Sequence, residues 1–413
     1  MRTAFLTGRT YRSGAAGKID VRHDVSPTVT ATRIAPKPAR GRASARSAIS
    51  SETSGGRLTN RTVSRRASHC HSSASNSNAV TGGSSRGWRN VTGVTAEESR
   101  DGVPLTHLDE PLFDGAEATK RDLVDYVEQM ADRMVPHLRD RPLSVIRVRA
   151  GQAPFMQKNL PTYTPDWVQS VTIWAERTKR DVTYAMANDR RTLVWFANQR
   201  AVEYHPGLMT TDDPLHQTHL ILDLDPPSDV DAEQGFRLAV RATQLVQQVL
   251  DEAGLAGAAK TSGAKGMHVF VPLAAAELPD VAAATRAIAA RAERIDPALA
   301  TTAFVVEQRH GKVFVDSTRA GGATVIAVYS PRIRPGVPVS FPVGWDDLDS
   351  IGPRDFTIHT APGLLRKGDA WARLMPEPQV LPIDLVAEGH EIPIARVVAM
   401  HEGKRRARAR GKQ

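Results

Sequence analysis

The stretch His219–Pro227, HLILDLDPP, decides how the rest of the chain is read. Its apolar run is too short for a helix and reads as a strand, in which side chains alternate faces. Asp223 and Asp225 therefore project from one side of that strand, and Leu222 and Leu224 pack on the other. At roughly 5 Å and an effective dielectric near 20, two carboxylates repel by about 3 kcal/mol, so such a pair holds a proton or a cation. A divalent ion fits this reading. The plainer reading is an acidic strand end capping the next helix, because Ser228, Asp229 and Asp231 follow the two prolines and are ordinary helix starters.

Two stretches further on bear on that choice. A helix is predicted from about Asp231 to Ala253, with Phe236, Val240, Leu245, Val246, Val249 and Leu250 as its apolar stripe and Gly254 as its stop. After it comes KTSGAKGMHVFVPL. Within it Gly263 and Gly266 allow backbone N–H groups close to an anion, and Ser262, Lys265 and His268 can donate to phosphate oxygens. The spacing is not that of a Walker A loop, and a plain tight turn is the competing reading. A helix at 280–294 and strands at 303–307 and 312–317 complete a strand-helix-strand-helix-strand-strand order. That order predicts a mixed α/β (α+β) sheet with its helices on one side, as in an RNA-recognition-like βαββαβ core.

Asp316 ends VFVD as Asp225 ends ILDLD, and it joins the pair if the two strands are neighbours. Three clustered carboxylates repel by a total near 10 kcal/mol on the same reckoning, which implies bound Mg²⁺ or Mn²⁺. Oxygen-only ligands favour these hard ions over zinc. Arg319 and Arg332 then offer guanidinium groups to a phosphate chain, unless Arg319 simply neutralises Asp316.

Upstream, Thr119 caps a predicted helix that Pro136 and His137 end, and PLSVIRVRA reads as a strand. A Pro-rich loop follows, carrying Phe155, Gln157, Lys158 and Asn159. VQSVTIWAE and RTLVWFANQ read as strands flanking a helix-compatible segment at 181–188. Residues 1–100 lack periodicity and read as a disordered basic leader, with order beginning near Leu105. The formal charge of +9 is unevenly spread: the leader carries 17 Lys and Arg against 5 Asp and Glu, residues 401–413 carry 6 against 1, and the body between them 31 against 39. Nucleic acid bound by the body must therefore use a local basic patch, and the tails add only salt-sensitive attraction. Cys70, the one cysteine, excludes an intrachain disulfide and a Cys-based zinc site. No secretory signal and no membrane-spanning run is present in the sequence, which predicts a cytoplasmic, nucleoid-associated protein.

The motifs DLD (223–225), SGAKGMH (262–268) and VDSTR (315–319) resemble motifs I, II and III of the archaeo-eukaryotic primase superfamily, specifically the polymerase domain of bacterial ligase D. HLDEPLF, TKRDLVDY, EYHPG, YSPRIRPG and DFTIHTAPGLL extend the resemblance from about Leu105 to Leu374. It implies a primase-like catalytic core at 205–345 and an N-terminal α/β part at 101–204, together a domain of 101–374 followed by an extension with a basic tail at 375–413. It implies a template-dependent, primer-extending nucleotidyltransferase that works on gapped, 5′-phosphorylated or broken DNA ends in non-homologous end joining or gap repair. Ribonucleoside triphosphates and Mn²⁺ are the implied preferences, with two ions activating the primer hydroxyl and escorting the triphosphate. A primase that starts chains unaided and a catalytically silent DNA-end-binding module are the alternatives.

Position by position, Asp223, Asp225 and Asp316 then resemble the metal ligands and catalytic acids. Ser262, Gly263, Lys265, Gly266, His268, Arg319 and Arg332 resemble the nucleotide-binding set, joined by His205 of EYHPG. Lys120 resembles a reader of the downstream 5′-phosphate, and Phe155 and Lys158 of APFMQK resemble DNA contacts. Met156 and Glu110 depart from the family, whose members often carry Phe and Lys there. Glu110 implies weak 5′-phosphate recognition, unless it pairs with a neighbour such as Arg121. A K-x-D-G adenylation motif is missing and little chain follows Leu374. The expectation is a stand-alone polymerase that cooperates with a separate DNA ligase and an end-bridging protein.

Overall fold

The computed structural model describes residues 98–401 apart from 176–177, 321–323, 366–367 and 396, together with the backbone of residues 19–21 and 29–33. In chain order the elements are β1 (Ile19–Val21), β2 (Val29–Arg33), β3 (Ser99–Arg100), β4 (Val103–Pro104), α1 (Lys120–Leu138), β5 (Leu143–Arg149), β6 (Gln152–Gln157), β7 (Ser170–Ala175), β8 (Arg180–Ala185), α2 (Arg190–Asn198), β9 (Ala201–Pro206) and β10 (His216–Asp225). They continue with α3 (Ala232–Glu252), β11 (Ala258–Thr261), β12 (Met267–Glu277), α4 (Leu278–Ile295), β13 (Ala300–Thr301), β14 (Val313–Asp316), β15 (Pro342–Val343), α5 (Ala361–Leu364), α6 (Ala370–Leu374) and α7 (Ile383–Glu391). The rest of the leader expected to be disordered, including all of 37–96, lies outside the described residues.

The second sheet has the order β13-β14-β10-β12-β11-β15, antiparallel except between β13 and β14. Its four main strands run fourth, first, third, second across the sheet, which is the βαββαβ arrangement expected of the core. Leu220, Leu222 and Leu224 of β10 are fully buried and share one core with Phe236, Val240 and Val249 of α3 and Val281, Ala284 and Ile288 of α4. Both helices therefore cover one face, and the odd-numbered residues of β10 face away from them. The α3 ends are as expected: the Asp231 side chain accepts from the Gln234 amide, and Gly254 leaves the helix with φ +68°.

The first sheet runs β1-β2-β7-β8-β5-β6, with β9 also paired to β5. Its core joins Leu123, Met130 and Met134 of α1 to Leu193 and Phe196 of α2, and takes in Tyr329, Val337, Val339 and Phe341 from well downstream. Thr119 and Asp122 form a reciprocal capping box at the start of α1. The helix does not end at Pro136 and His137 but continues to Leu138. A proline loses one backbone hydrogen bond there, and the buried Leu138 and the 2.9 Å pair of His137 with Asp369 hold the last turn in place.

Three further expectations are corrected. RTLVWFANQ is the helix α2 and the segment expected to be helical contains the strand β8. Thr192 to Ala197 are all buried, so no polar stripe marks the helical period, while the Asp189 carboxylate accepts from the Thr192 amide at 2.7 Å and starts the helix. Phe155 lies on β6, paired opposite Arg147 in a hairpin, rather than on a loop. The strand expected at 303–307 is absent, and Val306–Gln308 is a 3₁₀ turn. Arg309 donates to the Ala303 and Phe304 carbonyls, both at 3.2 Å, so these backbone acceptors are satisfied without a ladder. Among the described residues no helix is long and apolar enough to cross a membrane.

The helical assignment of 190–198 has a direct test. Asp189→Ala should lower unfolding stability by about 1 kcal/mol in denaturant titration, with most of the loss restored by Asp189→Ser. A neutral Asp189→Ala would contradict the cap.

Candidate active site

Strand pairing gathers the separate motifs into one row. Asp223 lies opposite Asp316 on β14 and opposite His268 on β12, and His268 lies opposite Lys260 on β11. Residues in register on neighbouring strands share a face, so Asp316, Asp223, His268 and Lys260 cross the sheet on the side away from α3 and α4. Asp225 follows at the end of β10. Asp223 and Asp316 are only 7% and 6% exposed.

The Arg319 guanidinium stands between two of these acids. Nη2 is 3.1 Å from Asp223 Oδ2 and Nε is 3.3 Å from Asp316 Oδ2, so the arginine neutralises both and not Asp316 alone. His268 Nε2 lies 3.2 Å from the other Asp223 oxygen. Burial works to raise the Asp223 carboxyl, but His268 and Arg319 outweigh it and hold the group down to about 2. Asp225 has no such partner, and burial followed by the charges of Asp223 and Asp316 pushes it up to about 6. Among the described residues no three acidic, histidine or cysteine side chains converge on a single metal position. The donor set nevertheless suits a hard cation: the acids offer only oxygen, they repel one another, and a positive group already stands between two of them.

The loop before β12 is built for close approach. The Ser262 hydroxyl oxygen accepts from the Ala264 and Gly266 amides at 3.2 and 3.1 Å, which leaves its proton to donate. Gly263 has φ +68°, and a Cβ on it would meet Arg332 Cγ at 2.7 Å and Ser340 N at 2.8 Å. On Gly266 a Cβ would meet the Leu224 carbonyl oxygen at 2.4 Å, so the loop lies directly against the strand that carries the acids. Lys265 is exposed, while His268 is 3% exposed and faces Asp223 rather than open space.

A cleft of about 650 Å³ opens over the row. Asp223, Asp225, Ser262, Lys265, His268, Arg319 and Arg332 all line it, so most of the sequence-derived site residues come together. Arg334 and Arg354 line it as well; the first stands in YSPRIRPG beside Arg332 but was given no role of its own, and the second sits on an irregular segment without periodicity. Arg332 Nη1 donates to the Ser262 carbonyl at 2.7 Å, and its Nε lies 3.1 Å from Glu203 Oε1, an ion pair rather than an aligned hydrogen bond. Glu203 was also missed, although it stands two residues before His205 on β9, the same spacing as the two acids of β10. Its other oxygen is 3.0 Å from His205 Nε2. Burial opposes its charge, but the bond to His205 and the charge of Arg332 hold it down to about 2. His205 thus reaches the site through Glu203 and does not itself line the cleft.

The N-terminal candidates lie elsewhere. Lys120 is 3% exposed, and its ammonium donates to the Thr106 carbonyl and, at 3.4 Å, to the Thr106 hydroxyl. Burial, then the nearby Arg200, lower its pKa to about 8. Glu110 pairs with Arg200 at 2.6 Å and His107 at 3.0 Å, while Arg121 takes Asp109 and Glu98 instead. Phe155 lies beneath the guanidinium groups of Arg147 and Arg149, at 5.7 and 5.2 Å from its centroid, and Lys158 is exposed just beyond β6.

Residues 119–371, which contain the whole row and all of its cleft lining except Glu117, match the model of the LigD primase-polymerase domain. The chain belongs to this family. Among its relatives are the bifunctional non-homologous end joining protein LigD of Bacillus subtilis, 32% identical over 64% of this chain and 43% of the relative, and the multifunctional LigD of Mycobacterium bovis, 33% identical over 68% and 38%. The chain spans about two-fifths of the length of these curated relatives. The polymerase domain of Mycobacterium tuberculosis Ligase D, solved in complex with DNA, superposes with a TM-score of 0.61 at 30% identity, covering 67% of this chain and 99% of that one.

In this LigD-type domain the contact of Gly266 with Leu224 couples the loop to the acids. Gly266→Ala should displace the Asp225 end of β10 and lower stability by about 1–3 kcal/mol, the usual range for overpacking. Thermal melting checks it, and a variant that melts and binds nucleotide like the wild type would contradict the close contact.

Proposed function

We propose that the protein is a template-dependent, primer-extending nucleotidyltransferase acting on gapped or broken DNA ends in non-homologous end joining, with a preference for ribonucleotides. The observation that carries this reading is the row of Asp316 and Asp223, with Asp225 beside them, beneath a cleft whose other charged lining is five cations, Lys265, Arg319, Arg332, Arg334 and Arg354, against one further carboxylate, Glu117. A polyphosphate needs cations along its length and acids only where ions bridge it to the protein. Membership of the LigD polymerase family and the likeness to a relative solved with DNA support the choice of substrates. The domain is taken as 101–374, with 375–413 as an extension, in a nucleoid-associated protein that works with a DNA ligase and an end-bridging protein.

Asp223, Asp225 and Asp316 would hold the ions, Mn²⁺ or Mg²⁺. Bound there, a pair of such ions supplies Lewis acidity to the attacking 3′-hydroxyl and charge neutralisation to the triphosphate. The chain's own residues do the rest. Arg319 exchanges its acid partners for phosphate oxygens, Arg332 is held rigid by Glu203 and the Ser262 carbonyl, and Lys265 and the Ser262 hydroxyl donate from the loop. Arg332 and the Ser262 hydroxyl are held by the protein before substrate arrives, which lowers the ordering cost of the in-line displacement.

Primer extension on gapped duplexes, comparing Mn²⁺ with Mg²⁺ and ribo- with deoxynucleotides, tests the proposal. Templated addition favouring Mn²⁺ and ribonucleotides is expected. Asp223→Asn or Asp225→Asn should lower the rate at least about a hundredfold, because bound ions contribute several kcal/mol to such reactions. Equal extension by wild type and both variants would refute the assignment.

A second outcome follows from Glu110. A carboxylate about 8 Å from a phosphate repels it by around 2 kcal/mol at an effective dielectric near 20, and here it also engages Arg200. A downstream 5′-phosphate should therefore tighten binding to gapped DNA by less than about tenfold, and Glu110→Lys should widen that preference. Matched gapped duplexes with and without the phosphate decide it. A strong preference that Glu110→Lys leaves unchanged would assign the grip to other residues.

A further inference from the structure

Lys260 is a lysine with no exposed surface, in a strand whose other residues, Ala258, Ala259 and Thr261, are also buried. An unpaired ammonium in such a place is costly. Its Nζ lies 2.9 Å from His268 Nδ1, 2.7 Å from Ser340 Oγ, and 5.2 Å from the centroid of Phe270. Ser340 Oγ donates to the Thr261 carbonyl at 2.8 Å, so toward Lys260 it acts as an acceptor.

The direction of the remaining bonds follows. Asp223 takes Arg319 on Oδ2 and is an ionised acceptor, so the His268 Nε2 that lies 3.2 Å from Oδ1 must carry the proton. In a neutral imidazole Nδ1 is then an acceptor, and Lys260 is the donor beside it. We propose that Lys260 is a positioning residue: through His268 it fixes which Asp223 oxygen is held by the sheet and which is presented to the cleft. Burial and then Arg332 push the Lys260 ammonium well below its ordinary pKa, with Asp223 working the other way, so the fold retains this amine against an electrostatic cost.

This inference rests on the nucleotidyltransferase reading, in which Asp223 is an ion-holding acid. The rival is a purely structural lysine joining β11 to the segment that carries Ser340. An apolar replacement separates the two, because exchanging a buried ionisable group for a well-packed apolar one is often neutral or stabilising.

The test uses the full chain and Lys260→Met. First, selective ¹⁵N labelling of histidine in metal-free protein, with His268 assigned by loss of its signal in His268→Gln, reads the tautomer. The wild type should show the Nε2–H form, and Lys260→Met should show a mixture of the two tautomers. Second, Lys260→Met should melt no lower than the wild type and lose about tenfold or more in kcat, as removal of a partner behind a ligand does. The nucleotide KM should be little changed. In a His268→Gln background, Lys260→Met should cost nothing further, since both act through one chain. An unchanged His268 tautomer, or a fall in melting temperature with kcat intact, would overturn the proposal. A wild type that fails to extend any primer would refute the functional reading instead, and the tautomer result would still decide the role of Lys260.

Discussion

Two buried carboxylates facing each other across adjacent strands are the constraint on which the rest of this structure turns. Asp223 and Asp316 are in register on β10 and β14, and Asp225 follows on the same face. Burial strengthens their mutual repulsion, and Asp225 registers the strain by holding its proton to about 6. The fold answers with positive or donating groups on both sides of Asp223: Arg319 from the turn after β14, and His268 backed by Lys260 from β12 and β11. The arrangement is balanced rather than closed, because Arg319 is 38% exposed and can leave its acids for another anion.

The remainder of the molecule keeps that row in place. Helices α3 and α4 bury the leucines of β10 on the far face, which fixes the strand and commits its acids to the cleft. Gly266 lets the loop rest on the Leu224 carbonyl, and Gly263 does the same against the Arg332 stem. Glu203 of β9, beside the first core, pairs with His205 and holds Arg332 at the cleft wall. Tyr329, Val337, Val339 and Phe341 pack into that first core, while Ser340 and Phe341 hydrogen-bond to Thr261 of β11, so the segment carrying Arg332 and Arg334 joins the first core to the sheet it serves.

What could be read from the chain followed from periodicity. Strand alternation put Asp223 and Asp225 on one face, and the pattern of strands and helices gave a mixed sheet with its helices on one side, although the short β11 was missed and 303–307 was counted as a strand. Apolar spacing found α1, α3 and α4. One error fell where burial is complete: residues 192–197 of α2 form an unbroken buried run and so resemble a strand, whereas β8, with only Val182 and Ala185 buried, offers too short an apolar alternation to stand out. At the site, the acids, the glycine loop and the arginines of motif III and YSPRIRP were legible because chemistry needs those residue types together. Lys260 and Glu203 were not singled out, although each stands two positions from a residue that was. Their partners come from distant segments, and only pairing between strands reveals them. Arg354 comes from irregular backbone, where no pattern exists to read.

If the acids are held apart for a cation, then ions should bind the folded protein more strongly than the unfolded chain and stabilise it by mass action, by about 2.7 kcal/mol at a hundred times the dissociation constant. The most direct measurement is the thermal midpoint against Mn²⁺ concentration, without nucleotide or DNA, for the wild type and for Asp223→Asn. A midpoint that climbs with Mn²⁺ in the wild type and stays flat in Asp223→Asn is the predicted result. A flat wild-type curve, or an equal climb in both proteins, would contradict the account.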